Sequence, residues 1–153
     1  MASSGPTSRR GTRSFGPIRA AWYGGKDYAR HANETILAIA MIESRTALEN
    51  LEAILATPGL DAIYVGPSDL SQSMGFEPRP GQLAPEVAAA VASVCDRARA
   101  HGIVPGVHCA SVALAREMVA AGFQFAGIMT DGTLLQQAAR EAAASVRESF
   151  PSR

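Results

Sequence analysis

The chain has 153 residues, 14 basic and 14 acidic side chains, a formal net charge of zero, and 47% hydrophobic against 18% charged residues. That length suits one domain or part of one, and the apolar content excludes a wholly disordered chain. The balanced charge argues against a nucleic-acid or anionic-membrane partner, since both need a basic surface. No apolar run approaches the roughly 18–20 residues of a bilayer span. Two cysteines, Cys95 and Cys109, are too few for a disulfide framework or a zinc cluster, so a soluble cytoplasmic protein is expected.

Residues 1–19, MASSGPTSRRGTRSFGPIR, are rich in Ser, Gly, Pro and Arg and carry no apolar periodicity. They lack the apolar h-region of a secretory signal and the amphipathic pattern of a transit peptide, and are expected to form a flexible arm. Residues 20–153 are expected to form the folded part. TILAIAMIE (residues 35–43) is a continuous apolar run closed by a carboxylate, which suits a buried parallel strand. SRTALENLEAILATPG follows as a single helix, with Leu48, Leu51, Ile54 and Leu55 at helical spacing and Pro58-Gly59 as the stop. DAIYVGP (residues 61–67) is a second strand, and SDLSQSMG a short helical turn before a loop with Pro78, Pro80 and Gly81. APEVAAAVASVCDRARAHG predicts a long helix, with Pro85 in its first turn and Gly102 beyond its end. GIVPGVH, SVALAREMVAAG, FQFAGIM and TLLQQAAREAAASVRESF then read as strand, helix, strand and helix.

Four successive β-α pairs joined by short connections predict an α/β fold with right-handed parallel crossovers. An open doubly wound sheet and half of a (β/α)8 barrel both fit. No G-x-G-x-x-G fingerprint opens a helix, which weakens the dinucleotide-binding alternative. A polar residue recurs at each strand's C-terminal end, namely Glu43, Asp69, His108 and Asp131, and ligands bind at that edge in both architectures. Neighbouring strands lie about 4.8 Å apart, so Glu43 and Asp69 can converge on one ion, and all-oxygen ligands favour a hard cation. Capping of the helices that follow is the competing role for both carboxylates.

Read together, ILAIAMIESRTALENLEAILATPGLDAIYVGPSDL (residues 36–70), the continuation GPSDLSQSMG, and the later HGIVPGVH and FQFAGIMTDGTLL closely resemble the HpcH/HpaI aldolase family of metal-dependent pyruvate aldolases. RSFGPIRAAWYGGKDYARHANE is similar to the segment that precedes the first of these strands in relatives, so the resemblance runs over roughly residues 11–148. It implies a (β/α)8 TIM barrel of which this chain carries the last four β/α units. It also implies a divalent metal, Mg²⁺, Mn²⁺ or Co²⁺, held at the positions of Glu43 and Asp69. Pyruvate would chelate that metal beside backbone amides at Gly66 and Ser68, with Pro67 shaping the turn. The implied reaction is cleavage of a 4-hydroxy-2-oxo acid to pyruvate and an aldehyde through a metal-stabilised enolate, with no Schiff-base lysine. The single lysine, Lys26, lies away from any strand end. Relatives are oligomers with C-terminal helices between subunits, which implies a homo-oligomer.

The chain departs from that pattern in several places. The family's first half supplies an arginine and an acid-paired histidine, and neither has a counterpart here. Met41 stands where several relatives place a Gln, and His108 stands at a strand end where Leu is common; His108 is the candidate for a substitute acid–base, with a solvated residue beside the site as its competing role. Cys109 reads as a small buried thiol, His31 and His101 as structural, Trp22 and Tyr23 as packing, and Asp131 as a helix cap. Alternatives are a truncated, non-catalytic keto-acid-binding half-barrel, an assembly subunit, or an enzyme of the citrate lyase β-subunit and malyl-CoA lyase branch.

Overall fold

In a computed structural model, which describes residues 22–79, 81–148 and 150, the apolar runs become four strands. They are β1 (Ile39–Ile42), β2 (Ala62–Val65), β3 (Val104–Cys109) and β4 (Phe125–Ile128). All pair in parallel in the order β1-β2-β3-β4. The expected flexible arm lies outside the described residues.

The chain divides into a unit ending at Leu37 and a unit starting at Ala38. Within the first lies helix α1 (Tyr28–Thr35), whose His31 Nδ1 stands 3.2 Å from Glu34 Oε2. Trp22 and Tyr23 are exposed rather than packed. Thr35 belongs to this helix and not to the first strand as expected. Its hydroxyl donates to the His31 carbonyl at 3.3 Å, so a β-branched residue closes a helix here.

In the second unit, β1 starts where the Asp61 carboxylate accepts the Ala38 N–H at 2.7 Å. The segment expected as one helix is two, α2 (Arg45–Glu49) and α3 (Leu51–Leu55). The break falls at Asn50, whose side-chain amide donates to the Thr46 carbonyl at 2.8 Å, the local competition that makes Asn a poor helix-interior residue. The remaining helices are α4 (Pro67–Ser73), α5 (Pro85–Ala100), α6 (Val112–Ala120) and α7 (Asp131–Glu148). Pro85 opens α5, where its missing N–H needs no partner. Ser111 caps α6 by accepting the Leu114 N–H at 3.1 Å. Among the described residues, no helix is long and apolar enough to cross a membrane.

The core lies on one face of the sheet. Ile42, Ile63, Val65, Val107 and Cys109 pack there against Leu51, Leu70 and the α5 stripe Val87, Val91, Val94, Cys95 and Ala98, all buried. That stripe has helical spacing, and each large side chain so buried contributes about 1.5–3 kcal/mol. Both cysteines are free, and burial pushes their thiols above the usual range. Cys109 is therefore the inert buried thiol its sequence position suggests.

Candidate functional site at the strand ends

The register aligns the C-terminal ends of the strands. Ile42 pairs with Val65 and Val65 with Val107. The next residues, Glu43, Gly66 and His108, therefore form one row across the edge, and Gly127 of β4 continues it opposite His108. Strand alternation places this row on the sheet face away from the core, one step beyond Met41, Tyr64, Gly106 and Phe125.

Glu43 leaves the end of β1 and leans over β2. A Cβ added at Gly66 would lie 3.2 Å from Glu43 Oε2 and 3.3 Å from Glu43 Cβ. The glycine thus makes the space the carboxylate uses. Asp69 lies in the first turn of α4, directly beyond β2. Neither carboxylate caps a helix. Ser44 caps α2 by accepting the Ala47 N–H at 3.1 Å, and α4 has no side-chain cap. Both acids are exposed, and neither has a hydrogen-bond or ion-pair partner among the described residues.

The loop ahead of Asp69 divides its roles. Pro67 is buried at the first position of α4, and Ser68 is exposed. The Gly66 N–H donates to the Ile42 carbonyl at 3.1 Å, so that amide is already engaged. The Ser68 and Asp69 amides fall in the helix's first turn, where N–H groups have no intrahelical acceptor.

Arg45 ties the two acid-bearing segments together. Its N–H donates to Ser73 Oγ at 2.9 Å and its guanidinium to the Met74 carbonyl at 3.0 Å. Both bonds thus run from the turn that follows Glu43 to the far end of the helix that carries Asp69. The sequence reading missed this clamp, because its partners lie 28 and 29 residues apart and no motif announces them.

His108 is half-buried on β3, with Nδ1 3.2 Å from the Tyr64 hydroxyl. Tyr64 was likewise missed; the sole signal is one aromatic residue in the run DAIYVGP. Asp131 is not the cap of α7. Its carboxylate accepts the adjacent Gly132 N–H at 2.7 Å, while Thr130 Oγ1 accepts the Thr133 N–H at 3.2 Å. Met129, between β4 and α7, has φ 59°, an uncommon backbone for a side chain without Asn or Asp character. Its N–H donates to the Cys109 carbonyl at 2.8 Å, which joins the ends of β3 and β4. His101 sits elsewhere, bonding Glu52 at 2.8 Å on the helical surface.

A model of the HpcH/HpaI aldolase/citrate lyase family matches residues 7–138. The chain belongs to this family. It is 40% identical over 147 residues to a hydroxypyruvate/pyruvate aldolase from Rhizorhabdus wittichii, covering 96% of this chain and 59% of that protein. A 4-hydroxy-2-oxo-heptane-1,7-dioate aldolase from Salmonella paratyphi B is 37% identical over 139 residues, covering 91% of this chain and 52% of that protein. Among solved structures, an HpcH/HpaI aldolase/citrate lyase family protein from Burkholderia cenocepacia superposes with a TM-score of 0.75 at 34% identity. It covers 94% of this chain and 56% of that one. An HpcH/HpaI aldolase from Desulfitobacterium hafniense gives 0.71 at 29% identity, covering 94% and 55%. The chain thus spans about half the length of these relatives, and its four β/α units correspond to half of the family's (β/α)8 barrel.

Proposed function

We propose that this strand-end edge is a pyruvate aldolase site, which cleaves a 4-hydroxy-2-oxo acid to pyruvate and an aldehyde. The observation that carries the proposal is the pair Glu43 and Asp69 at adjacent strand ends, both exposed and free of protein partners among the described residues. Unpartnered carboxylates that share one edge are suited to bind rather than to brace. The names of the relatives, a hydroxypyruvate/pyruvate aldolase and a 4-hydroxy-2-oxo-heptane-1,7-dioate aldolase, support the same chemistry.

The donor set fits a hard divalent cation. Two carboxylate oxygens leave most coordination positions to water and substrate oxygens, the pattern Mg²⁺ and Mn²⁺ prefer, and Co²⁺ accepts the same donors. Among the described residues no group of three or more His, Cys, Asp or Glu side chains converges, so Glu43 and Asp69 would be the protein's share of the ligands. When bound, such a cation would act as a Lewis acid toward charge that develops on the keto oxygen.

The chain's own residues supply the rest. The first-turn amides of Ser68 and Asp69 are placed for the substrate carboxylate, with Pro67 setting the turn and Gly66 giving Glu43 its space. His108 serves at the other end of the substrate. Its Nε2 takes the proton of the C4 hydroxyl and the C3–C4 bond breaks. The electron pair moves toward the keto oxygen, C4 leaves as the aldehyde, and a proton returns to C3 to complete pyruvate. The same reading has the working form as a cytoplasmic homo-oligomer.

Exchange of pyruvate methyl protons with D₂O, followed by NMR, tests this without knowledge of the aldehyde. Exchange is expected to need both Mg²⁺ or Mn²⁺ and Glu43, and to vanish in Glu43→Gln. A folded chain that binds metal yet exchanges no protons would overturn the aldolase reading and leave a keto-acid-binding half-barrel.

A further inference from the structure

We propose that Tyr64 is a positioning residue for His108, holding Nδ1 so that Nε2 is presented to the C4 hydroxyl of the substrate. The inference rests on the reading of His108 as the acid–base of the proposed cleavage.

Three observations carry it. The Tyr64 hydroxyl lies 3.2 Å from His108 Nδ1, and the two rings meet edge to face with centroids 6.4 Å apart. Nε2 has no hydrogen-bond partner among the described residues, so one ring nitrogen is held by protein and the other is left for a ligand.

The second observation is the path of the tyrosine. Tyr64 starts on β2, crosses β3 and reaches β4, and a glycine faces it on each strand it crosses. A Cβ at Gly106 would come within 2.9 Å of Tyr64 Cδ2 and 2.8 Å of the Ile63 carbonyl oxygen. A Cβ at Gly127 would collide with the Tyr64 hydroxyl oxygen. Phe125 packs against the tyrosine ring at 5.4 Å. Glycine inside a strand weakens the sheet, so two of them beneath one side chain mark where that side chain has to lie.

The third is location. His108 shares the row of Glu43 and Gly66, two strand spacings from Glu43, or roughly 9.6 Å at about 4.8 Å per strand. One small substrate fits between them, its keto-acid end at the carboxylates and its C4 oxygen toward the imidazole. A phenol suits the Nδ1 side because its oxygen can accept the Nδ1–H and so fix the tautomer that leaves Nε2 free. With Nδ1 protonated and donating to the tyrosine oxygen, Nε2 keeps the lone pair that takes the substrate proton, and the same bond to the tyrosine oxygen holds in the imidazolium that results. Burial, with Cys109 adding and the Gly127 backbone opposing, raises the Tyr64 hydroxyl above the usual range, which keeps it a neutral phenol.

The test uses ¹⁵N-histidine-labelled full chain, with the His108 signals identified by their loss in His108→Gln. Tyr64→Phe keeps the ring that packs on Phe125 and removes only the hydroxyl. Its Nδ1 and Nε2 shifts are expected to move toward those of a free imidazole. Gly127→Ala, which drives the hydroxyl aside, is expected to move them in the same sense. In cleavage of a 4-hydroxy-2-oxo acid, Tyr64→Phe is expected to lower kcat roughly tenfold with KM within about twofold, a share of the 10²–10⁴ that a positioned acid–base supplies. Unchanged His108 signals in Tyr64→Phe, or an unchanged kcat in an active chain, overturn the inference. Absence of proton exchange in the unmodified chain would instead sink the aldolase proposal, and the histidine signals would still decide whether Tyr64 holds His108.

Discussion

The two faces of the sheet are made from alternate residues of the same strands, yet they do different work. On one face Ile63, Val65 and Val107 are fully buried under the helices. On the other, Met41 is 52% exposed and Phe125 46%, and the polar groups Glu43, Tyr64 and His108 gather toward the C-terminal edge. A period-two element can serve stability and chemistry at once, because neither set of side chains reaches the other. The difference teaches that substitutions should separate cleanly into those that unfold the chain and those that silence it.

The sharpest separation is expected at Glu43. Glu43→Gln should abolish metal-dependent pyruvate exchange while changing unfolding free energy by less than about 0.5 kcal/mol, since the side chain is exposed and has no partner among the described residues. Denaturant unfolding alongside the NMR assay checks both halves, and a large stability loss would break the comparison. On the opposite face, Ile63→Ala should lower unfolding free energy by about 2–5 kcal/mol through lost burial and the cavity left behind. A shifted denaturation midpoint with an unchanged slope is the expected result.

Arg45 tests the boundary between the two roles. Ser73→Ala removes the acceptor of the Arg45 N–H and should cost about 1 kcal/mol of stability. If the clamp sets the spacing of Glu43 and Asp69, Mn²⁺ affinity measured by titration should fall roughly tenfold as well, the usual consequence of loosening groups that orient metal ligands. Unaltered affinity would make the clamp a matter of folding alone.

The smallest effect is expected far from the site. Glu52 on α3 accepts from Arg97 Nε at 2.6 Å and His101 Nε2 at 2.8 Å, both belonging to the end of α5. The hydrogen bond from Arg97, then that from His101, holds the Glu52 carboxyl below the ordinary glutamate range. A lowered folded-state value means the stabilisation is fully present above the unfolded value, about 4.3, and is lost as pH falls through the lower folded value. Glu52→Gln should therefore flatten the acid limb of a stability–pH curve slightly and leave pyruvate exchange untouched. The Glu52 side chain is 61% exposed, and screening by solvent keeps the effect small.

Much of this architecture was legible before any coordinates. Apolar runs closed by Glu43, Gly66-Pro67 and His108 placed three strand ends, and Pro85 and Gly102 bracketed α5. Thr35 and Ile36 prolong the run TILAIAMIE and predict a longer first strand, whereas the Thr35 hydroxyl closes a helix. Leu48, Leu51, Ile54 and Leu55 keep helical spacing across Asn50 and predict one unbroken helix, whereas the Asn50 side chain bonds the preceding turn and the helix breaks there. Within the site, Glu43 and Asp69 were legible as acids at successive strand ends. Tyr64 and Arg45 were not, since their partners lie 44 and 28 residues away.

By itself the sequence determined which segments are apolar, where strands end, and which chemical groups stand at those ends, because burial and chain reversal leave their mark in local composition and spacing. Only the tertiary structure decided that Glu43 lies over Gly66, that Arg45 clamps α4, and that Tyr64 crosses two glycines to reach His108. These depend on strand register, and register is a relation between distant segments: it appears when their side chains pack against one another, and no single stretch of the chain carries it.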